Sequence, residues 1–396
     1  MERMSIFSAT GGFNVRILKV LNDSRQMVKL KACEISRRTN FTITLTKDDI
    51  PVAFSSVYES SSANKQKKSF LEKLDERYKV KDGLNHIKFH VHFPNQTENM
   101  EPSIHSRHFI IENELGQGSY GAVFKLKDIE NSETFAVKCI KDMDLRLISH
   151  EIFILRKMQN SRNVIHFYGA VYIKPLHAAC LVMEHVDSIE LEDILDSLKL
   201  DDIKYYSYQL LIALDECHKR NIIHCDVKPD NILIDPIKRV LRLIDFGMAK
   251  SIDVNRSRKT DIGTLDFNAP ELLLNYKRFD SSIDIWAFGC IFASAVYGRN
   301  RLFGGDTCTE VLQSITSILG SDKFFEYIDT YGIPMSPKKM TDYTKFPVQT
   351  WDSLITEENS NTATDEALDL IEQLLVFDHK QRLSAEEAMK HPFYAE

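Results

Sequence analysis

The 396-residue chain is 43% hydrophobic and 27% charged with a net charge of −7, the composition of an ordinary soluble globular protein with length for two or three domains. Its longest apolar run, Ile285 to Tyr297, is too short to span a bilayer and contains Gly289 and Cys290, so it reads as a buried core helix. Seven cysteines (33, 139, 180, 217, 225, 290 and 308) never form C-x-x-C, which excludes a disulfide framework and a zinc site and points to reduced thiols.

Charge divides the chain. Residues 1–105 carry 17 Lys+Arg against 12 Asp+Glu, a balance of +5, while the remainder carries 33 against 45, a balance of −12. The acidic part lacks the clustered cations that phosphate attraction needs, so direct nucleic-acid binding is not expected. No signal peptide opens the chain, and the expected location is cytoplasm, nucleus or both, with no membrane partner.

In chain order, QMVKLKACEI and FTITLT alternate as half-buried strands, KKSFLEKLDERYKV has Phe70, Leu74 and Tyr78 at helical spacing, and HIKFHVHF alternates again. Residues 1–93 are therefore expected to form a small α+β module, with 94–105 as linker. The face His86, Lys88, His90 and His92 invites a metal site, but no cysteine or carboxylate joins it at ligand spacing, and a solvated strand face is the reading kept. KQKK at 65–68 reads as a solvated loop. This module lacks interleaved aromatic and basic residues for single-stranded nucleic acid, and is expected to dock a regulatory protein partner, a substrate or the acidic part of the same chain. From His108 onward short alternating stretches give way to long helical ones, a β-rich lobe followed by an α-rich lobe.

The chemistry-bearing residues lie in that second part. ELGQGSYGAVF spaces Gly116, Gly118 and Gly121 as G-x-G-x-x-G, and the alternation that follows predicts strand, turn, strand. No Walker-type G-x-x-x-x-G-K-[ST] occurs. Seventeen residues past Gly121, FAVKCI sets Lys138 in an apolar strand, where a buried ammonium needs a carboxylate; Glu151 in HEIFILRKM is the candidate. HCDVKPDN gathers Asp226, Lys228 and Asn231, and RLIDFG adds Asp245. Such a set can orient a hydroxyl and take its proton (Asp226), neutralise a phosphate (Lys228, Lys138) and hold Mg²⁺ (Asn231, Asp245). Glu271 of NAPELL and Arg382 are expected to form a structural pair.

These motifs in this order resemble the eukaryotic protein kinase family over about residues 106–394. The resemblance implies a bilobal α+β kinase fold: an N-lobe at 106–183 with five strands and one key helix, a hinge at 184–190 and a helical C-lobe at 191–394. It implies ATP and Mg²⁺ as cofactors and protein substrates. It makes Leu115 and the three glycines the phosphate-covering loop, Met183 the gatekeeper, the backbones of Glu184 and Val186 the adenine contacts, and Val123, Ala136 and Leu233 the apolar walls. Leu155, His224 and Phe246 become a regulatory spine, and Asp284 the anchor of the catalytic loop. Lys228 and Thr264 follow the serine/threonine pattern. LVMEHV, LGSDKFFEYIDTYGI and the C-terminal EALDLIEQLLVFDHKQRLSAEEAMKHPF are similar to the catalytic subunit of casein kinase two, whereas IGTLDFNAPE is similar to DDK-type kinases, both CMGC-related. DMDLRLISHE and TLDFNAPE lack the basic residues by which the casein-kinase pattern reads acidic substrates, and Asn268 replaces the arginine of proline-directed kinases.

Cys225 stands where such kinases usually carry the arginine that pairs with a phosphorylated activation loop. Its absence implies activity that does not depend on phosphorylating Ser251, Ser257, Thr260 or Thr264. Two other readings stay open: a pseudokinase scaffold, and an adaptor whose N-terminal module carries the main binding function.

Overall fold

A computed structural model describes residues 15–20, 27–34, 40–46, 86–91, 105–117, 121–140, 145–173, 178–252, 263–336, 340–343 and 349–395. The chain divides into two compact units, Met1–Lys79 and Val80–Glu396. In the first, β1 (Val15–Val20), β2 (Met27–Glu34) and β3 (Asn40–Thr46) form an antiparallel meander in that order, with Lys29 across from Val20 and Thr46 across from Met27. The alternation in FTITLT and QMVKLKACEI thus marks paired strands. The helix expected from KKSFLEKLDERYKV and the loop KQKK lie outside the described residues.

The second unit opens with β4 (His86–Val91), β5 (His105–Gln117), β6 (Gly121–Asp128) and β7 (Thr134–Ile140). Helix α1 (Leu145–Lys157) follows, then β8 (Phe167–Ile173) and β9 (Ala178–Glu184). These strands build one six-stranded antiparallel sheet in the order β4-β5-β6-β7-β9-β8. Strand β4 pairs with β5 from His86↔Ile110 to Val91↔His105. The lobe expected at 106–183 has its five strands, β5–β9, and the histidine-bearing strand, expected in the module 1–93, adds to their edge as a sixth. Alternation identifies a strand but not its partner, and β5, at 13 residues, is long enough to pair with β4 through one stretch and β6 through another. Phe109, Phe124, Leu126, Phe135 and Val137 fill one face of the sheet, with Phe109 and Phe135 edge to face at 5.9 Å.

The helical part runs through β10 (Ile189–Glu190), α2 (Leu200–Lys219), β11 (Ile222–Ile223), β12 (Ile232–Asp235), β13 (Val240–Leu243) and β14 (Lys250–Ser251). It continues with α3 (Pro270–Leu273), α4 (Ser282–Tyr297), α5 (Cys308–Leu319), α6 (Ser321–Tyr331), α7 (Asp365–Leu374) and α8 (Ala385–Ala388). Helix α4 contains the apolar run; Ile283 to Tyr297 are buried without a break, as befits a helix that is hydrophobic all round. Gly298 closes it in the left-handed conformation, φ 61°. Among the described residues no helix is long and apolar enough to cross a membrane.

Polar locks tie the helices together. Arg382 and Glu271, both with fully buried side chains, bond twice at 2.7 and 2.8 Å, as expected of that pair. The same guanidinium donates to the carbonyls of Val376, Ser282 and Phe377 and lies over the Trp286 ring. Burial without such saturation would leave the ion pair costly. Cys139, Cys180, Cys217, Cys225, Cys290 and Cys308 are free thiols; Cys139 and Cys180 meet in the sheet core, 2.8 Å apart.

Candidate active site

Strand register brings several of the candidate residues onto one face of the sheet. Gly116 lies opposite Val123, Val123 opposite Lys138 and Lys138 opposite Leu181, while Ala136 lies opposite Met183. Because side chains alternate along a strand, Ala136 and Lys138 share a face, and cross-strand pairing puts Val123 on it as well. Phe135, Val137 and Cys139 point into the core, whereas Val123 and Ala136 remain half-buried. Leu233 on β12 and Val186 after β9 are also half-buried against the core. The expected hairpin is present: β5 ends at Gln117 and β6 starts at Gly121, with Gln117 across from Ala122. A Cβ at Gly121 would stand 2.1 Å from the Cys139 carbonyl oxygen, so β6 and β7 approach too closely there for any side chain. Leu115 and Gly116 are exposed at the end of β5, and Gly118 lies outside the described residues.

Lys138 Nζ reaches Glu151 Oε1 at 2.8 Å, the pair expected from the sequence, and also Asp245 Oδ1 at 2.7 Å. Burial works against the ammonium, but the Glu151 and Asp245 carboxylates outweigh it and hold the Lys138 pKa above its ordinary value. The two acids diverge. Asp245 is opposed by burial, yet Lys138 and the Gly247 N–H keep its carboxyl below the usual range. Glu151, more deeply enclosed and facing the Asp245 charge, is pushed upward by burial against the pull of Lys138. Asp245 adopts a left-handed backbone, φ 58°, and a Cβ at Gly247 would sit 3.7 Å from both Glu151 Oε2 and Lys138 Nζ. That turn therefore closes over the triad.

The loop after β11 is held from below by α4. Asp284 accepts the backbone N–H groups of His224 (2.8 Å) and Cys225 (2.9 Å) on separate oxygens, and bonds His218 at 3.0 Å. Cys225 is buried with φ 69°, a conformation that costs a non-glycine residue energy unless its surroundings impose it. Its thiol faces the Ile223 carbonyl at 3.6 Å, in agreement with a packed thiol. The next residue, Asp226, is also buried. Thr264 Oγ1 donates to Asp226 Oδ1 at 2.9 Å, Asn231 Nδ2 donates to its Oδ2 (3.1 Å) and carbonyl (2.8 Å), and Lys228 Nζ stands 3.7 Å from Oδ2. His224 stacks edge to face on Phe246 at 4.8 Å, with Leu155 buried in the same core.

Other contributions were not visible in the sequence. Arg242 on β13 bonds Glu184 Oε1 at 2.7 Å, and the same oxygen accepts the His166 N–H, so the Glu184 side chain fastens the hinge. Strand β14 pairs with β11, which fixes the chain just beyond Asp245. Among the described residues no group of three or more His, Cys, Asp or Glu could hold a metal ion alone. Asn231, whose amide N–H groups go to Asp226, and Asp245 each carry an oxygen of the kind that could hold a divalent metal.

A family model described as Protein kinase domain matches residues 109–394 of the 396. A β-sheet lobe carrying a buried lysine on a helix glutamate, above a helical lobe that presents an aspartate-bearing loop, is the architecture which that family uses to transfer phosphate from ATP with a divalent metal. The chain belongs to the protein kinase family.

Proposed function

We propose that the chain is a serine/threonine protein kinase that uses ATP and Mg²⁺ and is active without phosphorylation of its activation segment. The observation that carries the reading is the Asp226 carboxylate, held by Thr264 at 2.9 Å and Asn231 at 3.1 Å, with Lys228 beside it. In this reading Asp226 orients the substrate hydroxyl and accepts its proton as the new bond forms. Lys228 neutralises charge on the transferred group, and Lys138, fixed by Glu151, binds the neighbouring phosphates. Leu115 and the glycine loop cover the phosphates; Val123, Ala136 and Leu233 sandwich the base, with Met183 behind it and the Glu184 and Val186 backbones along its edge. Asn231 and Asp245 would hold Mg²⁺, which neutralises phosphate oxygens when bound.

Serine/threonine preference is supported by Thr264 and Lys228, both turned toward Asp226. Independence from a phosphate switch is supported by Cys225, a buried neutral side chain at the arginine position. The C-lobe resemblance to casein kinase two and to DDK-type kinases leaves Asn268 and Asp266 at the substrate-facing segment; Asp266 is neutralised by Arg301 at 3.2 Å. The first unit, with its excess of positive charge, is proposed to dock a regulatory protein. Labelled ATP and a mixed peptide library test the reading: phosphoserine and phosphothreonine are expected, and phosphotyrosine as the main product would overturn it.

A further inference from the structure

Consecutive residues of α1 take hold of the turn that follows Asp245. Glu151 reaches Lys138, which reaches Asp245. His150 Nε2 lies 2.8 Å from the Ala249 carbonyl oxygen. A carbonyl can only accept, so Nε2 carries the proton and the imidazole donates. Between these two holds the turn is closed on itself: Gly247 N–H returns to Asp245 Oδ1 at 3.2 Å and Ala249 N–H to the Phe246 carbonyl at 3.1 Å. Helix α1 packs on this turn, and its buried stripe (Ile148, Ile154 and Leu155) faces the core while His150 stays exposed.

A helix that carries the lysine's partner must be kept in place, or the ion pair opens. An arginine paired with a phosphate can order this region, but Cys225 supplies no charge. We propose that His150 is a positioning residue for phosphoryl transfer: its N–H, donated to the Ala249 carbonyl, fastens α1 to the Asp245–Ala249 turn and keeps Glu151 on Lys138 without a charged modification of the activation segment. The inference rests on the kinase reading above and names how this site stays assembled. His150 itself touches no substrate and acts through Glu151.

One hydrogen bond shifts an open–closed equilibrium by about three- to tenfold, and kcat should follow the closed fraction. The test uses the full chain after phosphatase treatment, with His150→Phe and His150→Gln variants. Phenylalanine keeps the ring volume and removes the donor; glutamine restores an N–H at similar reach. The expected result is kcat about three- to tenfold lower for H150F, unchanged KM for protein substrate, unchanged melting temperature, and H150Q within about twofold of the parent. H150F at the parent rate, or H150Q as impaired as H150F, overturns the proposal. If phosphatase treatment silences the parent, the claim of phosphate independence falls, and with it this tether; a parent that remains active while the variants show no ordering refutes the tether alone.

Discussion

The buried carboxylate of Asp284 offers the sharpest perturbation of the catalytic loop. It accepts two backbone N–H groups, from His224 and Cys225, at 2.8 and 2.9 Å. Hydrogen bonds to an ionised acceptor contribute about 1.5–3 kcal/mol each, so the pair anchors the loop by roughly 3–6 kcal/mol. Against this stands the left-handed backbone of Cys225, φ 69°, which costs about 1–2 kcal/mol in a residue with a Cβ. The anchor wins while the carboxylate is present. In Asp284→Ala both donors are orphaned, the sign reverses, and Cys225 relaxes, carrying Asp226 away from Thr264 and Asn231. A displacement of about 1 Å at a reacting group costs roughly 100-fold in rate, and that is the expected loss in kcat. Urea unfolding should show a smaller deficit of about 2–4 kcal/mol, because water reaches the freed groups once the loop moves. Asp284→Asn keeps one acceptor oxygen but turns an amide donor toward the other N–H, and should fall between. A D284A protein with kcat within about threefold of the parent and an unchanged unfolding midpoint would refute the reasoning.

Other expectations follow from single contacts. Arg382→Ala leaves Glu271 charged in a fully buried site and should cost about 3–5 kcal/mol by urea titration, whereas replacing both residues by apolar side chains of similar volume should cost less; equal losses would contradict the account. Gly121→Ala places a Cβ 2.1 Å from the Cys139 carbonyl and should lower both melting temperature and ATP affinity, while Gly116→Ala, with nothing within 4 Å, should leave melting unchanged. Acidification should disable activity through Glu151, whose carboxyl lies above its ordinary 4.5, before Asp245, which lies below its ordinary 3.8. Protonating Glu151 favours the folded state, so activity is lost first; the stability that Asp245 contributes above 3.8 is lost only as pH falls through its depressed value. In Glu151→Gln the residual activity should lose this acid limb, and a limb unchanged in position would assign it elsewhere.

Much of the second unit was legible because its chemistry is written in short local motifs. Asp226, Lys228 and Asn231 sit on one loop, and the apolar run of α4 is continuous, so neither needs knowledge of distant partners. Other contacts between remote segments, unlike the Glu271–Arg382 pair, were not legible. The Lys138–Asp245 bond spans 107 residues, and His150 to Ala249 spans 99, with no pattern in either segment to announce the other. The strand at 86–91 could be recognised from alternation, but its pairing with β5 could not, because alternation is silent about which edge a strand joins. Glu184 was expected to matter through its backbone; that its side chain binds Arg242 depends on how β13 passes behind the hinge.

The central claim is that Asp226 takes the proton of a serine or threonine hydroxyl in a site complete without a phosphate switch. The direct measurement is transfer of labelled phosphate from ATP with Mg²⁺ to a serine/threonine peptide by the full chain after phosphatase treatment, beside Asp226→Asn. The account expects sustained transfer by the treated parent and a loss of about 100-fold or more in D226N. No transfer by the treated parent, or equal transfer by D226N, would contradict it.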